Sequence, residues 1–322
     1  MRRRNVLIGL AASATLPVGE SRSQTYPTQT VKIIVPWPAG GGTDVITRVI
    51  ADKLRPIFGQ SFIVENKPGA SGNLGTAAAA KSEPDGHTLV MVTITVAITP
   101  HLTTNAGYDP LTDLSPITLV ASSPHILIVN PGLSVASVPE LISLAKSKPG
   151  ELTYASAGVG SPFHIAAELF NWQAGTRIRH VAYRGGAPAI SDVVAGHVNM
   201  SFANLVAALP LVKGGQLRAL GVTTSSRSRA ALDIPTISEA GLSGYEFGSW
   251  FGFLAPSSTP KSIVERLDRE IRNILRDPDV QQRLTLDGAD LIAKGPQDFA
   301  HFLISEDQKW RSLISEAGIR AE

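Results

Sequence analysis

The groups in this chain best placed to hold a small molecule are the backbone amides of two glycine-rich turns. The first is Pro36-Trp37-Pro38-Ala39-Gly40-Gly41-Gly42-Thr43-Asp44. The second is Ser156-Ala157-Gly158-Val159-Gly160-Ser161-Pro162-Phe163-His164. Each follows strand-like sequence and precedes helical spacing, so each should end a strand and open a helix. A helix start carries unpaired N–H donors and the positive end of the helix dipole, which together favour an anion. Glycine lets such a turn take positive φ and lets a ligand come close to the backbone. Two of these turns, far apart in sequence, suggest a clamp with one jaw in each half of the protein.

Several side chains flank the jaws. Thr43 could cap the first helix or offer its hydroxyl to a ligand. Asp44 reads first as an acidic residue in a first helical turn, and second as a partner for a ligand ammonium or hydroxyl. Trp37 either covers the ligand or packs under the loop. Ser161 reads as an N-cap, with Pro162 at the first helical position. His164, in the first helical turn, is a structural hydrogen-bonder or a ligand contact; at a helix start its neutral form is favoured. A third strand-to-helix junction, Tyr183-Arg184-Gly185-Gly186-Ala187-Pro188, offers its backbone and the Tyr183 hydroxyl. Arg184 is the nearest cation to any of these turns, or an ordinary solvated charge. Asn204 ends a strand at the same edge and is a further candidate.

Catalytic signatures are weaker. Gly158-Val159-Gly160 begins like a dinucleotide fingerprint, but Phe163 occupies the place of its third glycine. There is no Walker A sequence and no His-Glu-x-x-His pair, and Gly241-Leu242-Ser243-Gly244-Tyr245 falls short of a nucleophile elbow. The chain has no cysteine, hence no thiolate nucleophile and no disulfide. These features favour binding without chemistry, and neither a cofactor nor a metal is expected.

The elements that would position the jaws alternate. Strands are expected at 31–35, 61–65 and 87–95, separated by helices at 44–58 and 73–81. The pattern restarts with strands at 126–129, 152–155, 180–182, 198–203 and 217–222, and helices at 138–147, 162–172, 187–195 and 205–213. This is the βαβ pattern of largely parallel sheets. The last part differs: a strand at 247–255, an amphipathic helix at 260–276 and a long helical tail at 296–317. A tail without βαβ units of its own packs most simply back onto the first half. That implies two crossings, near 119–124 and 246–255. The expected fold is therefore α/β, with residues 24–122 plus 250–322 as domain 1 and 123–249 as domain 2. Ligands of such sheets bind beyond the carboxyl ends of the strands, where both glycine turns lie.

The 322-residue length suits two domains, and 43% hydrophobic with 17% charged residues suits a packed core. Arg2, Arg3 and Arg4 precede a short apolar run, 6–16, too short to span a bilayer; Ser21 and Ser23 supply small residues before a cut ahead of Gln24. Residues 1–23 thus read as a signal peptide directing export to the periplasm, with the Sec and twin-arginine routes both open. The segment carries a net +3 of the chain's +2, leaving −1 on the mature protein, which argues against nucleic-acid binding.

Four further stretches complete a pattern with the first turn: Glu65 to Asn73, Pro84 to Leu89, Tyr183 to Ala189 and Pro235 to Gly241, beneath the signal peptide. In order and spacing, over essentially the whole mature chain, they resemble the Bug-type solute receptors of tripartite tricarboxylate transporters. The resemblance implies a periplasmic Venus-flytrap protein closing on a small carboxylate: a di- or tricarboxylate, a carboxylated aromatic or an amino acid. It implies that one carboxylate is held by Pro36 to Asp44 and by Ser156 to His164, partly through ordered water. Trp37 stands where phenylalanine is common in the family, and Arg184 where lysine also occurs. The expected partners are the solute and membrane transporter subunits, with a monomeric receptor. A sensor module for signalling and an exported enzyme of small carboxylates are the other readings.

Overall fold

The protein was analysed as a computed structural model that describes residues 26–103, 106–286 and 289–318. The expected signal peptide and its cut lie outside the described residues.

The first half opens with β1 (Val31–Val35), α1 (Gly42–Phe58), β2 (Phe62–Asn66), α2 (Asn73–Ala80) and β3 (Thr88–Thr93). β1 lies between β2 and β3 and pairs with both in parallel. α1 forms because Ile46, Val49, Ile50 and Leu54 share a buried face. Each such side chain contributes about 1.5–3 kcal/mol on burial. Gly59 ends the helix in the left-handed conformation.

β4 (Leu114–Val129) is a single strand of 16 residues where the sequence suggested a crossing followed by a short strand. Its first part pairs antiparallel with β9 (Gly248–Pro256), from Leu114↔Pro256 to Pro124↔Gly248. Its second part pairs antiparallel with β7 (Met200–Asn204) and β8 (Arg218–Val222). β5 (Thr153–Ser156) lies parallel to β7 and to β6 (Arg179–Ala182). The sheet thus has a parallel triplet toward each end, β2-β1-β3 and β7-β5-β6, joined through the antiparallel strands β9 and β4. Register shifts between Pro116 and Thr118 and between Leu119 and Ala121 interrupt the β4–β9 ladder, as proline and bulges do.

Helices cover the sheet: α4 (Val138–Ser147), α5 (Pro162–Ala174), α6 (Gly186–Ala195) and α7 (Leu205–Lys213) in the second half, α8 (Lys261–Ile274) and α10 (Pro296–Ala317) near the end. On α8, Val264, Leu267, Ile271 and Ile274 form the buried stripe. α10 packs against β4 and against α3 (Thr95–Leu102). α3, α9 (Pro278–Leu286) and β10 (Asp290–Lys294) were not expected. α3 is rich in threonine and β-branched residues and contains Pro100, all of which lower helix propensity, and the strand expected over 87–95 ends at its first residue. Packing against α10 overrides that propensity. One buried cluster runs through both halves, from Val90 and Val92 to Leu127, Phe163, Phe247 and Trp310.

Candidate functional site

β1 delivers the first glycine turn at its carboxyl end, and Gly41 is the N-cap of α1 without any side-chain cap. Pro38 to Gly42 are exposed. The first-turn amides of α1 are therefore open toward solvent, as an anion site requires. Thr43 and Asp44 are buried. The Thr43 carbonyl accepts from the Thr47 hydroxyl at 2.6 Å.

Asp44 braces the loop. Its carboxylate accepts from the Gly40 N–H at 3.0 Å, from Arg48 Nε at 2.9 Å and from Asn66 Nδ2 at 2.9 Å. Burial works to raise its pKa, but these three donors outweigh it and hold the carboxyl below its ordinary value. The Gly40 amide, expected as a ligand donor, is thus directed at Asp44. Asn66 ends β2 and also donates to the Trp37 carbonyl at 3.0 Å, while accepting from Arg48 at 3.0 Å. Trp37 is half-buried and lies against Gly72, where a Cβ would come within 3.4 Å of the indole. Gly75, opening α2, lies so close that a Cβ there would meet the Lys67 carbonyl at 2.7 Å and Pro36 Cα at 2.9 Å.

β5 delivers the second turn. Ser156 is buried, and its hydroxyl receives the Gly158 N–H at 3.0 Å and meets His180 Nε2 at 2.6 Å. Gly160 sits at φ +74°, a region that disfavours side chains, and a Cβ there would also meet Leu102 at 3.4 Å. Ser161 is the N-cap of α5 and accepts from the His164 N–H at 3.4 Å, as its type and place suggest. His164 is buried, and its Nδ1 faces the Gly160 N–H at 3.3 Å. Burial, then the neighbouring His180 at 4.4 Å between ring centroids, lowers its pKa to about 3. The neutral ring can therefore accept from Gly160. His164 thus braces the turn through the Gly160 N–H.

The third junction lies beside the second. The Tyr183 N–H donates to the Ser156 carbonyl at 3.0 Å, and its own carbonyl faces Gly158. The Tyr183 hydroxyl donates to Asp192 at 2.6 Å. Gly185 is the N-cap of α6 at φ +123°. Arg184 is exposed. Asn204 is the N-cap of α7, half-buried, without a side-chain cap bond.

The two glycine turns are linked through a segment not singled out as a site. Ala70–Gly72 forms a short 3-10 turn between β2 and α2, and its Ser71 hydroxyl donates to the Val159 carbonyl. Trp37 lies against Gly72 of the same turn. First turn, 3-10 turn and second turn thus form one continuous surface at the carboxyl ends of β1, β2 and β5. Asn66, Ser71 and His180 are the residues missed. Asn66 was findable, because it ends a parallel strand just as Ser156 does.

What the arrangement offers is a cradle of neutral backbone donors between two helix starts. Among the described residues, no group of three or more His, Asp or Glu side chains is arranged to hold a metal ion, and no helix is long and apolar enough to cross a membrane.

The family model described as the tripartite tricarboxylate transporter family receptor matches residues 46–319. Three solved structures are similar over nearly the whole chain. Rpa4515 of R. palustris, solved with adipate, is 38% identical, covering 92% of this chain and 99% of its own, with a TM-score of 0.86. The periplasmic binding protein BugD is 30% identical, covering 92% of this chain and 100% of its own, with a TM-score of 0.85. MatC of Rhodopseudomonas palustris, with bound malate, is 31% identical, covering 90% of this chain and 100% of its own, with a TM-score of 0.82.

Proposed function

The chain belongs to the tripartite tricarboxylate transporter receptor family, and from that premise we propose that it is a periplasmic receptor capturing a small carboxylate between its two glycine turns. The observation that carries this reading is the junction of the two turns through Ser71 and Val159, with uncapped helix amides beside it. A carboxylate spreads its charge over two oxygens, which suits several backbone N–H donors better than one side-chain cation. The related proteins with adipate and malate bound support the same ligand class.

In this reading Gly41, Gly42, Thr43 and Asp44 supply amides from one side, and the second turn, its Gly158 and Ser161 N–H groups held by the Ser156 hydroxyl and the Gly158 carbonyl, forms the opposite wall. Ala39, Ala157, Tyr183 and Gly185 contribute backbone at the rim. Residues 24–122 with 250–322 form one domain and 123–249 the other. Closure bends the chain where β4 and β9 cross together, near the register shifts of β4. The receptor acts as a monomer after removal of residues 1–23 and delivers its solute to membrane transporter subunits. It binds without transforming.

The test is mass spectrometry of ligand released from the purified protein, with a thermal-shift screen of adipate, malate, neutral sugars and amines. Intact carboxylate release and stabilisation by acids alone are expected. A ligand at one hundred times its Kd stabilises by about 2.7 kcal/mol, enough to resolve. Stabilisation by sugars or cations alone would sink the reading.

A further inference from the structure

Ser156 ends β5 fully buried, and its hydroxyl has three partners. The Gly158 N–H lies at 3.0 Å, the Gly158 carbonyl at 3.1 Å and His180 Nε2 at 2.6 Å. The amide can only donate and the carbonyl can only accept. A hydroxyl holds one proton and two lone pairs, so its proton goes to the carbonyl and both lone pairs receive. All three contacts are then made only if His180 Nε2 carries a proton and donates it.

The fold holds the imidazole for that task. His180 lies directly opposite Tyr154 in the β5–β6 ladder, and Ser156 is two residues on from Tyr154, hence on the same face of β5. Tyr154 stacks on the His180 ring at 4.9 Å and 19°. His164 packs beside it at 4.4 Å between centroids.

The Ser156 hydroxyl in turn fixes the direction of a peptide group. The Gly158 carbonyl accepts from it and from the Ser161 N–H at 3.1 Å. In a trans peptide the carbonyl and the following N–H point opposite ways. With the Gly158 carbonyl directed at buried Ser156, the Val159 N–H turns away from it, toward the half-exposed side of the turn. That N–H has no hydrogen bond to a described residue, while the Val159 carbonyl accepts from Ser71.

We infer that His180 is a positioning residue of the second glycine turn: in its Nε2–H tautomer it holds the Ser156 hydroxyl, which pins both polar groups of Gly158 and so aims the Val159 N–H at the solute carboxylate. This rests on the carboxylate-receptor reading. His180 itself touches no solute; it acts through Ser156.

Calorimetry with adipate, malate, citrate, benzoate and glutamate compares the wild type with Ser156→Ala, His180→Phe, His180→Gln, His180→Asn and the Ser156→Ala/His180→Phe double variant, beside the melting temperature of each ligand-free protein. For the acid that the wild type binds best, Ser156→Ala and His180→Phe should each lose roughly tenfold or more in affinity. The double variant should lose no more than Ser156→Ala, because the two residues act as one unit. Glutamine brings an amide N–H close to the place of Nε2 and should recover most of the affinity. Asparagine reaches only as far as Nδ1 and should not. The His180→Gln and His180→Asn proteins should melt together when ligand-free, so that their difference in affinity reads position and not packing. In nitrogen NMR of the wild type, the His180 ring, identified by its loss in His180→Gln, should show the Nε2–H tautomer. A His180→Phe protein with wild-type affinity, an additive double variant, a failure of glutamine to recover more than asparagine, or an Nδ1–H ring overturns the positioning role and leaves the receptor reading standing. A wild type that binds none of these acids overturns the receptor reading and the role with it. Should His180→Phe fail to fold, Ser156→Ala and the glutamine–asparagine pair carry the same comparison.

Discussion

The Ser71 hydroxyl donates to the Val159 carbonyl, joining the short turn after β2 to the second glycine turn. Ala70 and Ser71 hold φ of +46° and +53°, left-handed values that cost non-glycine residues about 1–3 kcal/mol each. The strain is borne at the point where the two halves touch.

Ser71→Ala removes that bond and leaves the backbone alone. A net hydrogen bond is worth about 0.5–1.5 kcal/mol, so we expect solute affinity to fall by roughly two- to tenfold with little change in unfolding midpoint. Calorimetry with the solute identified by mass spectrometry measures it. An unchanged affinity would detach Ser71 from closure.

The two glycine turns respond differently to bulk. Gly41 has φ −80°, and a Cβ there would meet only the Pro38 carbonyl, at 3.7 Å. Gly41→Val should fold normally and lose binding by blocking the amides of α1. Gly160→Val combines lost binding with lowered stability, because the left-handed backbone alone costs about 1–2 kcal/mol. Urea unfolding beside a binding assay separates the two. Normal binding by Gly41→Val would count against the first jaw.

Asp44→Ala leaves the Gly40 N–H and the Asn66 amide without their acceptor. Arg48 is half exposed, so its ion pair adds little. The lost hydrogen bonds should cost about 1–3 kcal/mol and loosen Pro38 to Gly41. The midpoint of urea unfolding and the affinity should both fall. A protein weakened only in affinity would return Asp44 to direct ligand contact.

Acid should unfold this protein partly through its buried histidines. His125 and His164 remain neutral in the fold down to about pH 3, whereas the unfolded chain takes up protons near pH 6.5. Above pH 6.5 neither state is charged at these sites. As the pH falls from 6.5 toward 3, stability is lost by up to about 1.4 kcal/mol per pH unit for each histidine. His125→Phe should flatten the fall in stability between pH 6 and 4 by one histidine's share. An unaltered slope would show that His125 titrates normally.

Much of this was legible in the chain because period and punctuation agree. The tail at 296–317, the Ser161 cap and the return of β9 to the first half follow from hydrophobic spacing, a cap residue and the absence of further βαβ units. α3 was hidden because packing, and not propensity, makes it a helix. Ser71 was hidden because a strained turn has no period. Asp44, Tyr183 and His164 were visible as types, yet their partners Gly40, Asp192 and Gly160 depend on rotamers that spacing does not encode.

The ladder between β3 and β9 has a kinetic consequence. Val90 pairs with Leu254 and Thr93 with Phe251, so the middle of the first half's sheet waits for a strand that arrives after the entire second half. Contacts so distant in sequence slow folding. The second half, whose strands β5 to β8 are near neighbours in the chain, should acquire hydrogen-exchange protection first during refolding. The first half, although begun earlier, should be completed last.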